Sequence, residues 1–104
     1  MQIQINTDSN IDASDELVQE LEAVVSRALD RFGTQVTRVE VHLSDENSGK
    51  FGVDDKRCLL EARLADLQPI AVSHEAATIQ QAAAGAAEKL QRSLESRIGR
   101  LRDR

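Results

Sequence analysis

Thirteen residues of the 104-residue chain are Lys or Arg, and six of them fall between Lys89 and Arg104. They lie in the segment EAATIQQAAAGAAEKLQRSLESRIGRLRDR, which has the periodicity of one amphipathic helix. At about 100° per residue, Ile79, Ala83, Ala86, Leu90, Leu94, Ile98 and Leu101 form one apolar stripe. Lys89, Arg92 and Arg100 then share one flank, and Glu88, Glu95 and Arg102 take the other. Such a flank can act as a ridge of point charges for phosphate oxygens, with Arg able to grip two at once. The plainer alternative is a solvated helix face whose bases near the C-terminus suit the helix dipole. Arg97 sits beside the apolar stripe, where a long side chain snorkels over the core edge.

No other pattern competes for chemistry. There is no phosphate-cradling glycine loop, nucleophile elbow or acid/base cluster with His at a recognisable spacing, so no enzymatic activity is expected. Cys58 alternates with apolar neighbours and reads as a small buried hydrophobe without redox function. His42 and His74 stand apart from any metal-ligand spacing. Asp45, Glu46, Asn47, Asp54 and Asp55 make an acidic loop that fails the calcium-loop pattern. No cofactor and no metal are therefore expected. Phe32 and Phe51 are the only aromatic residues, which disfavours a module that stacks bases on rings.

The formal net charge is −5. Residues 1–46 carry ten acids and three bases, and residues 47–104 carry eight acids and ten bases. An acidic total argues against a generic nucleic-acid binder but leaves room for a local basic surface. A single cysteine forms no internal disulfide and fits a reducing compartment. MQIQIN lacks a basic region followed by an apolar run, and no apolar stretch nears spanning length. A cytoplasmic protein without membrane association is expected.

The chain must position that helix with one modest core built from Leu, Ile, Val and Ala. Ile3 and Ile5 alternate with polar residues in a first strand. Ser14 can cap a helix whose core face carries Leu17, Leu21, Val24, Val25, Ala28, Leu29 and Phe32. Glu16, Glu20 and Asp30 give that helix an acidic outer side, and Gly33 is placed to end it in a left-handed conformation. Val39, Val41 and Leu43 mark a second strand, and Cys58, Leu60, Ala62 and Leu64 a third. Residues 44–56 join them as a long hairpin loop. Leu67-Gln68-Pro69 reads as a short connection to a fourth strand through Ile70 and Val72, ending near His74.

Thr78 and Gln81 fit a capping box at the start of the last helix. The Ala82–Ala87 run around Gly85 allows close packing on the sheet or the first helix. Arg38, Glu40, His42, Arg57, Leu59, Glu61 and Arg63 fall on the outer sheet face, where alternating signs suggest cross-strand pairing. The expected fold is one α+β domain over residues 1–104, ordered β-α-β-β-β-α. Its four-stranded sheet carries both helices on one face.

With MQIQIN, the V-x-V-x-L of the second strand, and IAVSHEAATIQQAAAGAAEKLQRSL in strand-turn-helix order, the chain resembles the ribosome hibernation-promoting factor family. That family includes ribosome-associated inhibitors and proteins once called sigma-factor modulators. The resemblance spans essentially the whole chain. It implies an α/β domain that binds the small ribosomal subunit, contacts rRNA phosphates through basic residues, and silences idle ribosomes. By position it implicates Lys89 and Arg92, more loosely Arg97 and Arg100, and on the third strand Lys56, Arg57 and Arg63. Thr78-Ile79-Gln80 stands where the family often has Asp-x-Tyr, and the chain is more acidic than familiar members.

Two functional expectations follow. One is a ribosome-associated protein that binds the small subunit and its rRNA and hinders translation in resting or stressed cells. The other is a protein-interaction module with the same fold, acting through the acidic first helix or a sheet-mediated homodimer. Monomer and weak homodimer both remain open.

Overall fold

The computed structural model describes residues 1–8, 11–45 and 56–102, with side chains described as far as residue 99. Strand β1 (Gln2–Thr7) leads to helix α1 (Asp15–Leu29) and a 3-10 segment (Asp30–Gln35). Strands β2 (Val36–Asp45), β3 (Lys56–Leu64) and β4 (Leu67–Ala76) follow, and helix α2 (Ile79–Arg102) ends the described chain. The sheet order is β1-β2-β3-β4. β1 runs parallel to β2, and the other two pairings are antiparallel. A parallel pair needs a crossover of a dozen or more residues, which α1 supplies.

Period-two patterning sorts the strands into two faces. Val39, Val41 and Leu43 from β2 and Cys58, Leu60 and Ala62 from β3 are almost wholly buried. They meet Leu21, Val25 and Leu29 of α1 and Ala82, Ala83, Ala86, Leu90 and Leu94 of α2 in a single cluster. Both helices thus cover one sheet face, as the pattern requires. α2 lies over β3 and β4 and packs against α1.

The helix starts follow their caps. Leu17 donates its backbone N–H to Ser14 Oγ at 3.1 Å, and Gln81 donates to Thr78 Oγ1 at 3.1 Å. Each bond satisfies one of the donors a helix N-terminus leaves orphaned. α1 ends at Leu29, earlier than the Gly33 stop expected from sequence. Gly33 lies instead inside the 3-10 segment with φ 58° and ψ −131°. The backbone there needs a glycine, but to redirect the chain into β2, not to cap α1.

The connection before β4 also differs from expectation. Leu67-Gln68-Pro69 belongs to β4, and the turn is the dipeptide Ala65-Asp66. Asp66 takes φ 63°, which a short polar side chain tolerates. Pro69 is acceptable because β4 is an edge strand and its missing N–H forfeits no ladder bond. β4 continues past His74 to Ala76. Of the expected 44–56 loop, Ser44 and Asp45 extend β2 and Lys56 opens β3; residues 46–55 lie outside those described.

Candidate nucleic-acid interface

The sheet's outer edge and α2 meet along β4. Lys89 Nζ donates to the carbonyl oxygen of Ser73 at 2.9 Å, and Arg97 Nη1 donates to that of Gln68 at 3.2 Å. Both acceptors are main-chain oxygens of the edge strand, so two bases of α2 cover an edge otherwise open to strand pairing. Arg97 is half-buried, as its place beside the apolar stripe requires. Between these anchors a shallow groove of about 360 Å³ is lined by Ile70, Arg92, Ser93, Ser96 and Arg97. Two guanidinium groups and two hydroxyls around one depression suit an anionic oxygen cluster.

The donors are not exhausted by their internal bonds. A guanidinium has five N–H donors and an ammonium three. Arg97 and Lys89 can therefore hold the strand edge and still face a phosphate.

Arg92 makes a different compromise. The wheel assigns Arg92 and Glu88 to separate flanks, but the i,i+4 spacing joins them at 2.6 Å. The cationic flank is thus interrupted by one acid. That pair is highly exposed, 72% and 59% for the two side chains. Exposed helical pairs of this spacing are worth about 0.3–0.5 kcal/mol, so exchanging Glu88 for a phosphate costs Arg92 little. Glu95, the other acid of that flank, is held by Arg31. The same Arg31 guanidinium lies 5.2 Å from the Phe32 ring centroid. Gln91 Nε2 donates to the Ala28 carbonyl at 3.2 Å, tying the end of α1 to α2. The backbone of Arg100 continues α2, while its side chain and that of Leu101 lie outside those described.

The β3 candidates sit elsewhere: Arg57 and Arg63 on the outer sheet face, and Lys56 at the start of β3, in step with core-facing Cys58 and Leu60. Lys56 pairs with Asp45 across β2–β3 at 3.2 Å, and Arg57 faces Glu75 in the β3–β4 register. Of the outer-face residues, Arg57 has an opposite charge across the strand, as the expected pairing requires. At the centre of the sheet it fails: Arg38 is directly opposite Arg63, and Glu40 directly opposite Glu61. The register shift between Val36 and Arg38 contributes to this alignment, and the opposite charges meet along β2 instead, Arg38 to Glu40 at 3.1 Å. Arg63 is exposed and makes no side-chain ion pair among the described residues. The seven candidates therefore divide: Lys89, Arg92 and Arg97 share the β4–α2 edge, Arg57 and Arg63 lie on the outer sheet face, Lys56 sits at the start of β3 in step with the core-facing residues, and the side chain of Arg100 lies outside those described.

Arg27 and the two groove serines were not singled out by sequence. Arg27 is exposed in the last turn of α1 and lines a separate shallow groove with Glu88 and Gln91. The serines follow from spacing alone, since Ser93 and Ser96 each neighbour a groove arginine in sequence.

Cys58 is fully buried, and burial pushes its thiol up to about 12. A thiolate is the reactive form, so this residue is inert in the folded chain. Among the described residues, no helix is long and apolar enough to cross a membrane.

The fold recurs in solved structures. The N-terminal domain of Protein Y from Thermus thermophilus superposes with a TM-score of 0.73 at 22% identity, covering 92% of this chain and 98% of that one. A ribosomal subunit interface protein from Coxiella burnetii gives 0.74 at 16% identity, covering 95% and 99%. No curated protein matches the chain. The family model described as Sigma 54 modulation protein / S30EA ribosomal protein matches residues 3–102. The chain belongs to that family.

Proposed function

We propose that this protein binds the small ribosomal subunit through rRNA phosphates along the β4–α2 edge and hinders translation in resting or stressed cells, in the cytoplasm. The observation that carries this reading is the groove bearing Arg92, Ser93, Ser96 and Arg97 beside Lys89. Family membership supports the ribosome as the target, since the family description names a ribosomal protein and one structural relative is a ribosomal subunit interface protein. The activity needs no catalytic group: a domain lodged on the subunit acts by occupying space. Lys56, Arg57, Arg63 and Arg100 would extend the contact beyond the groove.

Co-sedimentation with 30S and 70S particles across a salt series tests the proposal. Three phosphate contacts would lower affinity roughly 30-fold between 50 and 200 mM salt. Reversing Lys89, Arg92 and Arg100 together should weaken binding and flatten that dependence. Absence from both particles at low and at physiological salt would remove the ribosomal reading. A second reading rests on exposed acids along α1 and at its C-cap, Glu16, Glu20 and Asp30, which would dock a basic protein partner. A non-ribosomal protein captured by the wild type and lost on reversing those three acids would favour it.

A further inference from the structure

We propose that the outer face of the sheet holds one divalent transition-metal ion on Glu40, His42 and Glu61. One ligand atom from each lies within 4.8 Å of the others, and all three residues are half-buried. Sequence spacing hides this set because its members come from two strands. Glu40 and His42 are two apart on β2 and so share a face. Glu61 lies directly opposite Glu40 on β3 and diagonal to His42. Two oxygens and an imidazole nitrogen on a tetrahedral zinc stand about 3.4 Å apart. Modest rotamer adjustments of two long glutamates close the remaining gap.

Three features point to a ligand set and not to ordinary surface acids. Like charges directly opposite each other weaken a strand pair, yet Glu40 and Glu61 occupy such positions at the centre of the sheet. A cation between them turns that repulsion into shared coordination. The arginine nearby does not fill this role for both acids. Arg38 Nη2 reaches Glu40 Oε1 at 3.1 Å and also bonds Gln4 Oε1, whereas Glu61 has no ion pair among the described residues. Arg38 instead resembles an outer-shell partner that fixes a ligating carboxylate. Finally, the imidazole selects among ions: carboxylates alone suit calcium, magnesium or manganese, while an added histidine favours zinc or iron and leaves manganese to the two carboxylates. Three protein ligands leave coordination positions open to water or to an oxygen of a partner.

The test uses the isolated full chain and does not depend on the ribosomal reading. Isothermal titration with Zn²⁺, and separately with Mn²⁺, should give one saturable equivalent for at least one of them. His42→Ala and Glu61→Gln should each weaken binding at least about tenfold. Glu61→Gln carries a second signature. It removes the cross-strand repulsion, so the metal-free variant should melt higher than the wild type while binding metal worse. A merely structural role for Glu61 would not move the two readouts in opposite directions. The double variant Asp54→Asn/Asp55→Asn should bind as the wild type does. Failure of both ions to saturate at one equivalent overturns the proposal. So does binding that survives both His42→Ala and Glu61→Gln, or that is lost in the loop variant, which would mark an adventitious ion only.

Discussion

Two glycines of α2 should respond in opposite directions to the same substitution. A Cβ built on Gly85 would overlap the His74 ring, standing 2.6 Å from Cγ and closer still to Cδ2 and Nε2. A Cβ on Gly99 meets nothing within 4 Å. Replacing a helix-interior glycine by alanine gains about 0.8–1 kcal/mol of propensity. At position 99 nothing opposes that gain, reduced somewhat by its place near the helix end. At position 85 overpacking costs about 1–3 kcal/mol, because His74 must leave its place on β4 or α2 must lift. The net expectation for Gly85→Ala is a loss of about 1 kcal/mol. For a domain of this size that lowers Tm by roughly 4–8 °C, and Gly99→Ala should raise it by a smaller amount. Thermal unfolding followed by circular dichroism reads both. In a His74→Ala background the clash disappears and Gly85→Ala should become stabilising, a coupling of about 2 kcal/mol. If Gly85→Ala raised Tm in the wild-type background as Gly99→Ala does, the close seating of α2 on β4 would be wrong. The placement of Lys89, one turn further on, would fall with it.

Other perturbations follow from the same contacts. Thr78→Ala removes the acceptor of the Gln81 N–H and should cost about 1 kcal/mol in chemical denaturation. Leu94→Ala opens a cavity at a fully buried position and should cost about 2–5 kcal/mol. Cys58 should resist thiol reagents at mildly alkaline pH until the chain unfolds, so labelling should track the unfolded fraction. Burial pushes the folded thiol up to about 12 from an ordinary 9.0, so the contribution is intact below about pH 9 and falls as pH climbs towards 12. Denaturant midpoints measured from pH 8 to 11 should fall more steeply in the wild type than in Cys58→Ala.

Much of the fold was legible because local pattern and tertiary burial agree. Val39, Val41 and Leu43 alternate in sequence and are buried together, and Ser14 and Thr78 cap the helices they precede. The errors share a cause: a residue's local preference was overruled by its neighbours in space. Pro69 suggested a loop, but an edge strand accepts it. Gly33 suggested a helix stop, but α1 had already yielded to a 3-10 segment. The basic flank of α2 was visible as a flank, while its separate commitments were not. A helical wheel carries no strand edge, so it cannot show Lys89 and Arg97 gripping the carbonyls of Ser73 and Gln68. Register is likewise invisible to alternation, which is why cross-strand pairing was expected where Arg38 meets Arg63.

Net charge is the wrong quantity for deciding whether an acidic domain can meet RNA. The relevant comparison is between the distance separating its charges and the distance over which solvent lets them act. At physiological ionic strength the Debye length is about 8 Å, while the two longer axes of this molecule measure 50 and 25 Å. α2 covers β3 and β4, and the acids of α1 are exposed on a separate helix packed beside it. A phosphate seated between Arg92 and Arg97 would feel those two guanidinium groups at contact range, while charges beyond a screening length would count for little. Among the acids, Glu88 of α2 acts at contact range, since it bonds Arg92 directly. Glu88→Gln should therefore strengthen ribosome association, if the groove is the contact, by more than neutralising Glu16 or Glu20 does. All three substitutions change the net charge by the same amount, so equal effects would mean that total charge governs binding and that the groove does not.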